Sequence, residues 1–183
     1  MVRLLGISGS LRAQAYSSAI LRALADATVA HATYDFAEIG SMPHFDQDLW
    51  DEALPVPVKH FRDQVAAADG LVIVSPEYNH GIPGVLKNAL DWASRPHNGS
   101  PLRDKPVLLV TSSPAVTGGV RAQYQIRETV TSALARPVNT PEIVVGQVGT
   151  KFVEGRFHDP AVIAFAMNGF AAMFEDIAHR NTP

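Results

Sequence analysis

Short apolar runs alternate five times with helix-length amphipathic segments along this 183-residue chain, and no other feature restricts its fold as much. The runs Val2–Ile7, Ala32–Phe36, Gly70–Ser75, Pro106–Thr111 and Glu142–Val145 read as strands. Between and after them, Ser17–Ala30, Pro57–Ala68, Pro83–Ser94, Gly119–Ala135 and Pro160–His179 read as helices. Three of these helices carry proline at or near the first turn, where its missing N–H would be unpaired in any case. The central runs, Leu71–Val74 among them, lack polar alternation, as expected of strands covered on both faces.

Such alternation predicts a parallel sheet with helices on both sides. Five strands suit the order 2-1-3-4-5 of a flavodoxin-like three-layer α/β sandwich, here as a single domain over residues 1–183. In that order ligands sit outside the carboxyl ends of the strands, near the topological switch point. The loops after the first, third and fourth strands are therefore expected to form the site. Composition narrows the chemistry. A net charge of −3 without a basic run gives no reason to expect nucleic acid. The absence of cysteine excludes disulfides, thiol nucleophiles and cysteine-ligated zinc, and fits a reducing cytoplasm. The seven histidines show no metal-ligand spacing, so no metal is expected.

No apolar run approaches the ~18 residues of a membrane span. The amino end is too short and glycine-rich for a signal segment. The most apolar late segment, 161–174, is broken by Asn168 and Gly169 and reads as a packed or subunit-contacting helix. His44–Glu52 holds Asp46, Asp48 and Asp51 but lacks the glycine and flanking helices of a calcium loop, so it reads as a solvated loop.

The three site loops are the most unusual segments of the chain. After the first strand come Ser8, Gly9, Ser10, Arg12, Ser17 and Ser18, leading into a helix. Hydroxyls, a guanidinium fork and a helix N-terminus suit a phosphate. The same residues also suit a serine-rich cap with Arg12 in a surface ion pair. Neither a P-loop nor a G-x-G-x-x-G fingerprint is present. After the third strand, Pro76 must end the ladder or lie at its edge. Glu77, Tyr78, Asn79 and His80 follow it. Backbone groups there can match the alternating acceptors and donor of a flavin edge while Tyr78 packs on the ring. Glu77 is otherwise a solvated carboxylate or bonded to nearby backbone, and His80 a rim residue. Trp92, in the helix behind, is a candidate subunit contact. After the fourth strand, Ser112 and Ser113 precede Gly118 and Gly119 at a helix start, where paired glycines permit close backbone approach.

Together, "GSLR" at 9–12, "PEYN" at 76–79 and "GGVRAQYQIR" at 118–127 resemble the NAD(P)H-dependent FMN reductase family of quinone, chromate and azo-dye reductases. The segment Lys151–Asp159 is similar to the family's approach to its last helix, so the resemblance spans nearly the whole chain. It implies non-covalent FMN, NAD(P)H as co-substrate, a small-molecule electron acceptor such as a quinone or flavin, and a homodimer or homotetramer. It implies hydride transfer by a ping-pong cycle with all chemistry on the cofactor and no catalytic side chain. Carried over by position, Ser10 and Arg12 bind the phosphate, with Ser17 and Ser18 in support. Pro76, Glu77, Tyr78 and Asn79 line the ring, and Ser112, Ser113, Gly118 and Gly119 lie close to it. The family commonly has Ser and Asn where this chain has Ala15 and Ser17, so one phosphate donor is missing and another is shortened. A flavodoxin-type one-electron carrier and a non-enzymatic flavin-binding regulatory module are the competing readings.

Overall fold

The computed structural model of the protein describes residues 1–180. Parallel strands β1 (Val2–Ser8), β2 (Ala32–Phe36), β3 (Gly70–Pro76) and β4 (Pro106–Ser112) pair in the order β2-β1-β3-β4. The fifth position, beside β4, is filled by two short strands, β5 (Arg136–Pro137) and β6 (Ile143–Val145), both parallel to it. The order 2-1-3-4-5 therefore holds, with its last strand interrupted. Pro76 pairs with Ser112, and Ser112 with Val145, so three strands end level at the carboxyl edge.

Helices α1 (Tyr16–Ala27) and α6 (Pro160–Arg180) cover one face of the sheet. The other face is covered by α3 (Val56–Ala67), α4 (Gly84–Ala93) and α5 (Val120–Ser132). Successive strand residues serve opposite layers. Leu4, Val72 and Leu108 pack with Ile20, Phe170 and Met173, whereas Leu5, Ile73 and Leu109 pack with Phe61, Leu86 and Ile126. Each such side chain contributes roughly 1.5–3 kcal/mol by leaving water, which explains why the central runs have no polar positions. Among the described residues α6 is the one helix long and apolar enough to cross a membrane by length and composition. Its Ala166, Phe170, Met173 and Ile177 are buried in the layer it shares with α1.

The prolines start helices as expected: Pro83 is the N-cap of α4, Pro57 lies in the first turn of α3, and Pro160 opens α6. Two segments depart from expectation, and a third adds structure that the sequence left open. His44–Glu52 is not simply a solvated loop, because it contains the short helix α2 (Gln47–Glu52). The Asp46 carboxylate caps it, accepting from the Asp48 N–H at 3.0 Å, while Leu49 and Trp50 pack on the core. Trp92 is wholly buried and so cannot be a subunit contact. Its indole N–H donates to the Pro43 carbonyl at 2.8 Å and its ring meets Phe45 edge-on, which anchors the segment before α2. Finally, Lys151–Asp159 contains a two-stranded hairpin, β7 (Phe152–Val153) and β8 (Arg156–Phe157), turning through Glu154 and Gly155 at positive φ. Asp159 then caps α6 through the Val162 N–H and pairs with Lys151.

Candidate functional site

Loops from β1, β3 and β4 converge on one crevice at the carboxyl edge of the sheet. It is lined by Ser10, Arg12, Ser17, Pro76, Tyr78 and Ser112, so six of the residues singled out from sequence meet there. Ala15, Tyr16, Pro114 and Val148 complete its walls, and its volume is about 40 Å³. The Tyr78 hydroxyl reaches across it to the Ser10 hydroxyl, 3.3 Å away.

The β1 side begins with a close approach. The Gly9 N–H donates to the Val74 carbonyl at 2.8 Å, and a Cβ at Gly9 would lie 2.4 Å from the Ser75 hydroxyl and 3.1 Å from its Cα. Only glycine fits there. Helix α1 follows with Ala15 as its N-cap, which supplies no side-chain acceptor. The first-turn N–H groups of a helix have no partner within it, so those of Tyr16, Ser17 and Ser18 point to this end as donors. Ser18 donates to the Ser8 hydroxyl at 2.9 Å, and Ser8 lies 2.9 Å from the Ser17 hydroxyl, which ties the loop to the helix. Ser17 is buried and Arg12 is exposed, with no protein partner for its guanidinium among the described residues.

The β3 side is a tight turn. Tyr78 and Gly81 exchange two backbone hydrogen bonds of 3.0 Å, and Asn79 and His80 between them have φ of 50° and 64°. Positive φ at both central positions is the type I′ turn, for which Asn is among the best residues at the first. Asn79 and His80 are exposed, and Tyr78 is 48% exposed. Gln125 of α5 holds this turn from behind, accepting from the Ile82 N–H at 3.0 Å and donating to the His80 carbonyl at 3.4 Å.

Glu77 does not point into the crevice lining. Its buried carboxylate accepts from the N–H groups of Arg121 and Ala122 at 3.0 and 3.2 Å, at the amino end of α5. The Arg121 guanidinium stands 3.6 Å away. A carboxylate at a helix N-terminus is favoured by both hydrogen bonds and dipole, so Glu77 clamps the β3 loop to the β4 loop. Gly118 and Gly119, at φ of 63° and 84°, bring the β4 loop into α5. They are buried, and a Cβ at Gly118 would fall 2.9 Å from the Val144 Cβ. Under Gly119 the buried Thr111 hydroxyl has no protein partner. Ser113 receives the Ala115 N–H at 3.1 Å and lies beside, not within, the crevice. Ser18 likewise borders a neighbouring cleft instead.

Sequence reasoning did not single out Gln125, Thr111 or the partners of Glu77. Gln125 lies inside the "RAQYQIR" stretch, but nothing local marks a contact made 43 residues away.

Strand order and convergent loops define a flavodoxin-like α/β protein, a fold class in which ligands sit outside the carboxyl ends of the strands at the switch point. The sequence profile of the NADPH-dependent FMN reductase family matches residues 2–150. The chain is 38% identical over 159 residues to an NAD(P)H-dependent FMN reductase of Pseudomonas aeruginosa, covering 86% of this chain and 85% of that one. It is 39% identical over 145 residues to a quinone reductase of Escherichia coli K12, covering 78% and 77%. The solved structure of FerB, a flavoenzyme NAD(P)H:(acceptor) oxidoreductase of Paracoccus denitrificans, matches it with a TM-score of 0.87 at 26% identity, over 98% of both chains. The chain thus belongs to the NADPH-dependent FMN reductase family and is an oxidoreductase.

Proposed function

We propose that this chain is an NAD(P)H oxidoreductase that holds FMN non-covalently in the three-loop crevice and passes reducing equivalents to a quinone, a flavin or another small acceptor. The observation that carries this reading is the meeting of Ser10 and Arg12 with Pro76, Tyr78 and Ser112 in one crevice. The residues present fit the cofactor. A phosphate finds the Arg12 guanidinium, the Ser10 and Ser17 hydroxyls and the open first turn of α1. A planar ring finds the Tyr78 ring, Pro76 and Ser112 at the crevice wall, with the buried Gly118–Gly119 turn packed close behind them.

When bound, FMN supplies the hydride chemistry between NAD(P)H and the acceptor. The protein's work is to position. Glu77 and Gln125 fix the β3 and β4 loops to α5, so the ring frame is in place before substrate arrives. With Glu77 committed to the α5 N–H groups, no side chain at the crevice is left as an evident acid, base or nucleophile. NAD(P)H and acceptor would use one exposed face in turn, which gives ping-pong kinetics. We infer a single domain over residues 1–183 that works in the cytoplasm as a homodimer or homotetramer, supported by exposed Tyr124 on α5 and Phe165 on α6.

The test is an absorbance spectrum of the protein after incubation with FMN, followed by NADH and NADPH oxidation against a quinone panel. A flavin spectrum perturbed by the protein while FMN is present, and parallel double-reciprocal lines, are expected. A colourless protein that FMN does not colour would sink the proposal, and intersecting lines would remove the ping-pong cycle. Bound FMN with no oxidation of either nucleotide would favour a carrier or regulatory module.

A further inference from the structure

A second, larger cleft lies on the opposite side of the β1 loop from the flavin frame. It opens between that loop, α1 and the segment just after β2, with a volume of about 370 Å³, inside the roughly 300–1,000 Å³ range of small-molecule sites. Ser10 and Arg12 border both spaces, but Leu21, Arg22, Phe36 and Glu38 line only this one. The cofactor reading leaves those four without a role.

Their chemistry is mixed in a particular way. The floor is flat and apolar. Gly6 has no side chain, and a Cβ there would already lie 3.0 Å from the Phe36 ring and 3.1 Å from Leu21. The Phe36 ring is 49% exposed and is supported by Tyr34, whose ring lies nearly parallel at 6.0 Å. An open, backed aromatic ring suits a stacked heterocyclic base. The rim is charged. Arg12 and Arg22 are exposed, and neither guanidinium has a protein partner among the described residues. Glu38 faces the same space, its carboxylate accepting from the Gly40 N–H at 3.0 Å. Ser8 and Ser18, bonded to each other at 2.9 Å, add hydroxyls to the wall. A bare inorganic anion would use the arginines but would gain nothing from Phe36 and would be repelled by Glu38. A phosphorylated nucleoside uses all three: the base on Phe36, a ribose hydroxyl or exocyclic amine on Glu38, and the phosphate on a guanidinium fork.

The cleft also adjoins the flavin frame, with Ser10 and Arg12 as a shared wall. The Ser10 hydroxyl is 3.3 Å from that of Tyr78, so an extended dinucleotide lying over this loop, outside the FMN phosphate, reaches both places. We propose that this cleft seats the adenosine 2′-phosphate end of NADPH, with Arg22 the residue that reads the 2′-phosphate. The inference rests on the NAD(P)H oxidoreductase reading, and it makes the enzyme selective for NADPH over NADH. Arg12 is committed to the FMN phosphate in that reading, which leaves Arg22 to discriminate.

The experiment uses FMN-loaded protein and two readouts, calorimetric titration with 2′-AMP and steady-state KM for NADPH and NADH. Loss of one charge-assisted contact predicts that Arg22→Gln weakens 2′-AMP and raises KM for NADPH about tenfold or more. KM for NADH, kcat and FMN content stay unchanged, and Arg22→Lys restores part of the loss. Phe36→Ala raises KM for both nucleotides. Equal NADPH KM values in the parent and Arg22→Gln proteins, with FMN bound and turnover intact, overturn the assignment. So does 2′-AMP that both proteins bind equally, or that inorganic phosphate displaces with matching affinity. Binding of 2′-AMP that Arg22→Gln abolishes, in a protein that oxidises neither nucleotide, supports the cleft while overturning the enzymatic reading.

Discussion

The loops after β3 and β4 are tied together through main-chain groups, whereas the loop after β1 is tied to α1 by hydroxyl-to-hydroxyl contacts. On the ring side, a type I′ turn closes on itself, Gln125 grips it from behind, and Glu77 binds two N–H groups of α5. On the phosphate side, the Ser8–Ser17–Ser18 cluster joins loop to helix, but α1 has no side-chain cap and the Arg12 guanidinium has no partner among the described residues. The difference is physical. A flavin ring needs a frame of the right shape, so the frame is completed by the protein. A phosphate needs unpaired donors, so the donors are left for the ligand to complete. Order on one side and open valence on the other are each suited to the part of FMN that the proposed function assigns to them.

The largest expected effect comes from breaking the frame. Glu77→Ala leaves two N–H groups at the amino end of α5 without their buried acceptor, which costs about 1–3 kcal/mol. A urea unfolding midpoint that falls without a change in m would show it, and FMN content should fall with it. The exposed Arg121 contributes little through its ion pair, so Arg121→Ala should not reproduce the loss. Next is the open side. Arg12→Ala should leave the unfolding midpoint within about 0.5 kcal/mol of the parent, as at other unengaged surface positions. It should weaken FMN about tenfold or more while leaving riboflavin affinity unchanged. If both flavins weakened equally, Arg12 would belong to the frame and the contrast would fail.

A smaller change should repair the weak side. Ala15 is the N-cap of α1 and supplies no acceptor. Ala15→Ser restores one, worth about 1 kcal/mol to the helix, and places a hydroxyl at the crevice wall. FMN is expected to leave the parent on dilution and to be retained longer by this variant, as followed by flavin fluorescence during dialysis. Parent protein that keeps its FMN through extended dialysis would show that Ser17 and the open turn suffice. The smallest effect is assigned to Tyr78→Phe, which removes the Tyr78–Ser10 contact between the two sides. It should change stability by less than about 1 kcal/mol and leave FMN affinity nearly unaltered, since the Tyr78 ring remains.

The parts legible from sequence were those governed by local rules. Pro76 ended β3, Pro57, Pro83 and Pro160 began helices, and unbroken apolar runs announced strands covered on both faces. A loop after Pro76 was legible, but the type I′ turn at Asn79 and His80 emerged only with the backbone. What stayed hidden depends on partners far along the chain. Glu77 meets α5 44 residues later, and Gln125 meets Ile82 across 43. Likewise, α2 forms because Trp50 finds Arg62 over its ring at 4.7 Å and Leu49 finds the core, neither of which a short polar stretch reveals. The Arg22–Phe36–Glu38 cleft combines one helix face with the end of a strand, and no motif spans such a pair.

The interrupted fifth strand has a consequence for how molecules of this protein meet. A sheet edge with a long row of unpaired N–H and C=O groups invites another chain to add itself as the next strand. Here the edge is two residues, a gap holding Pro141, and three residues more, with Pro137 in the first piece. Buried Gln123 donates to both Leu109 and Ile143 carbonyls at 3.2 Å and keeps the second piece in register. The opposite edge, β2, is short and carries Asp35 paired with Arg3. Neither margin of the sheet offers a long, regular template on which another chain could extend it as the next strand.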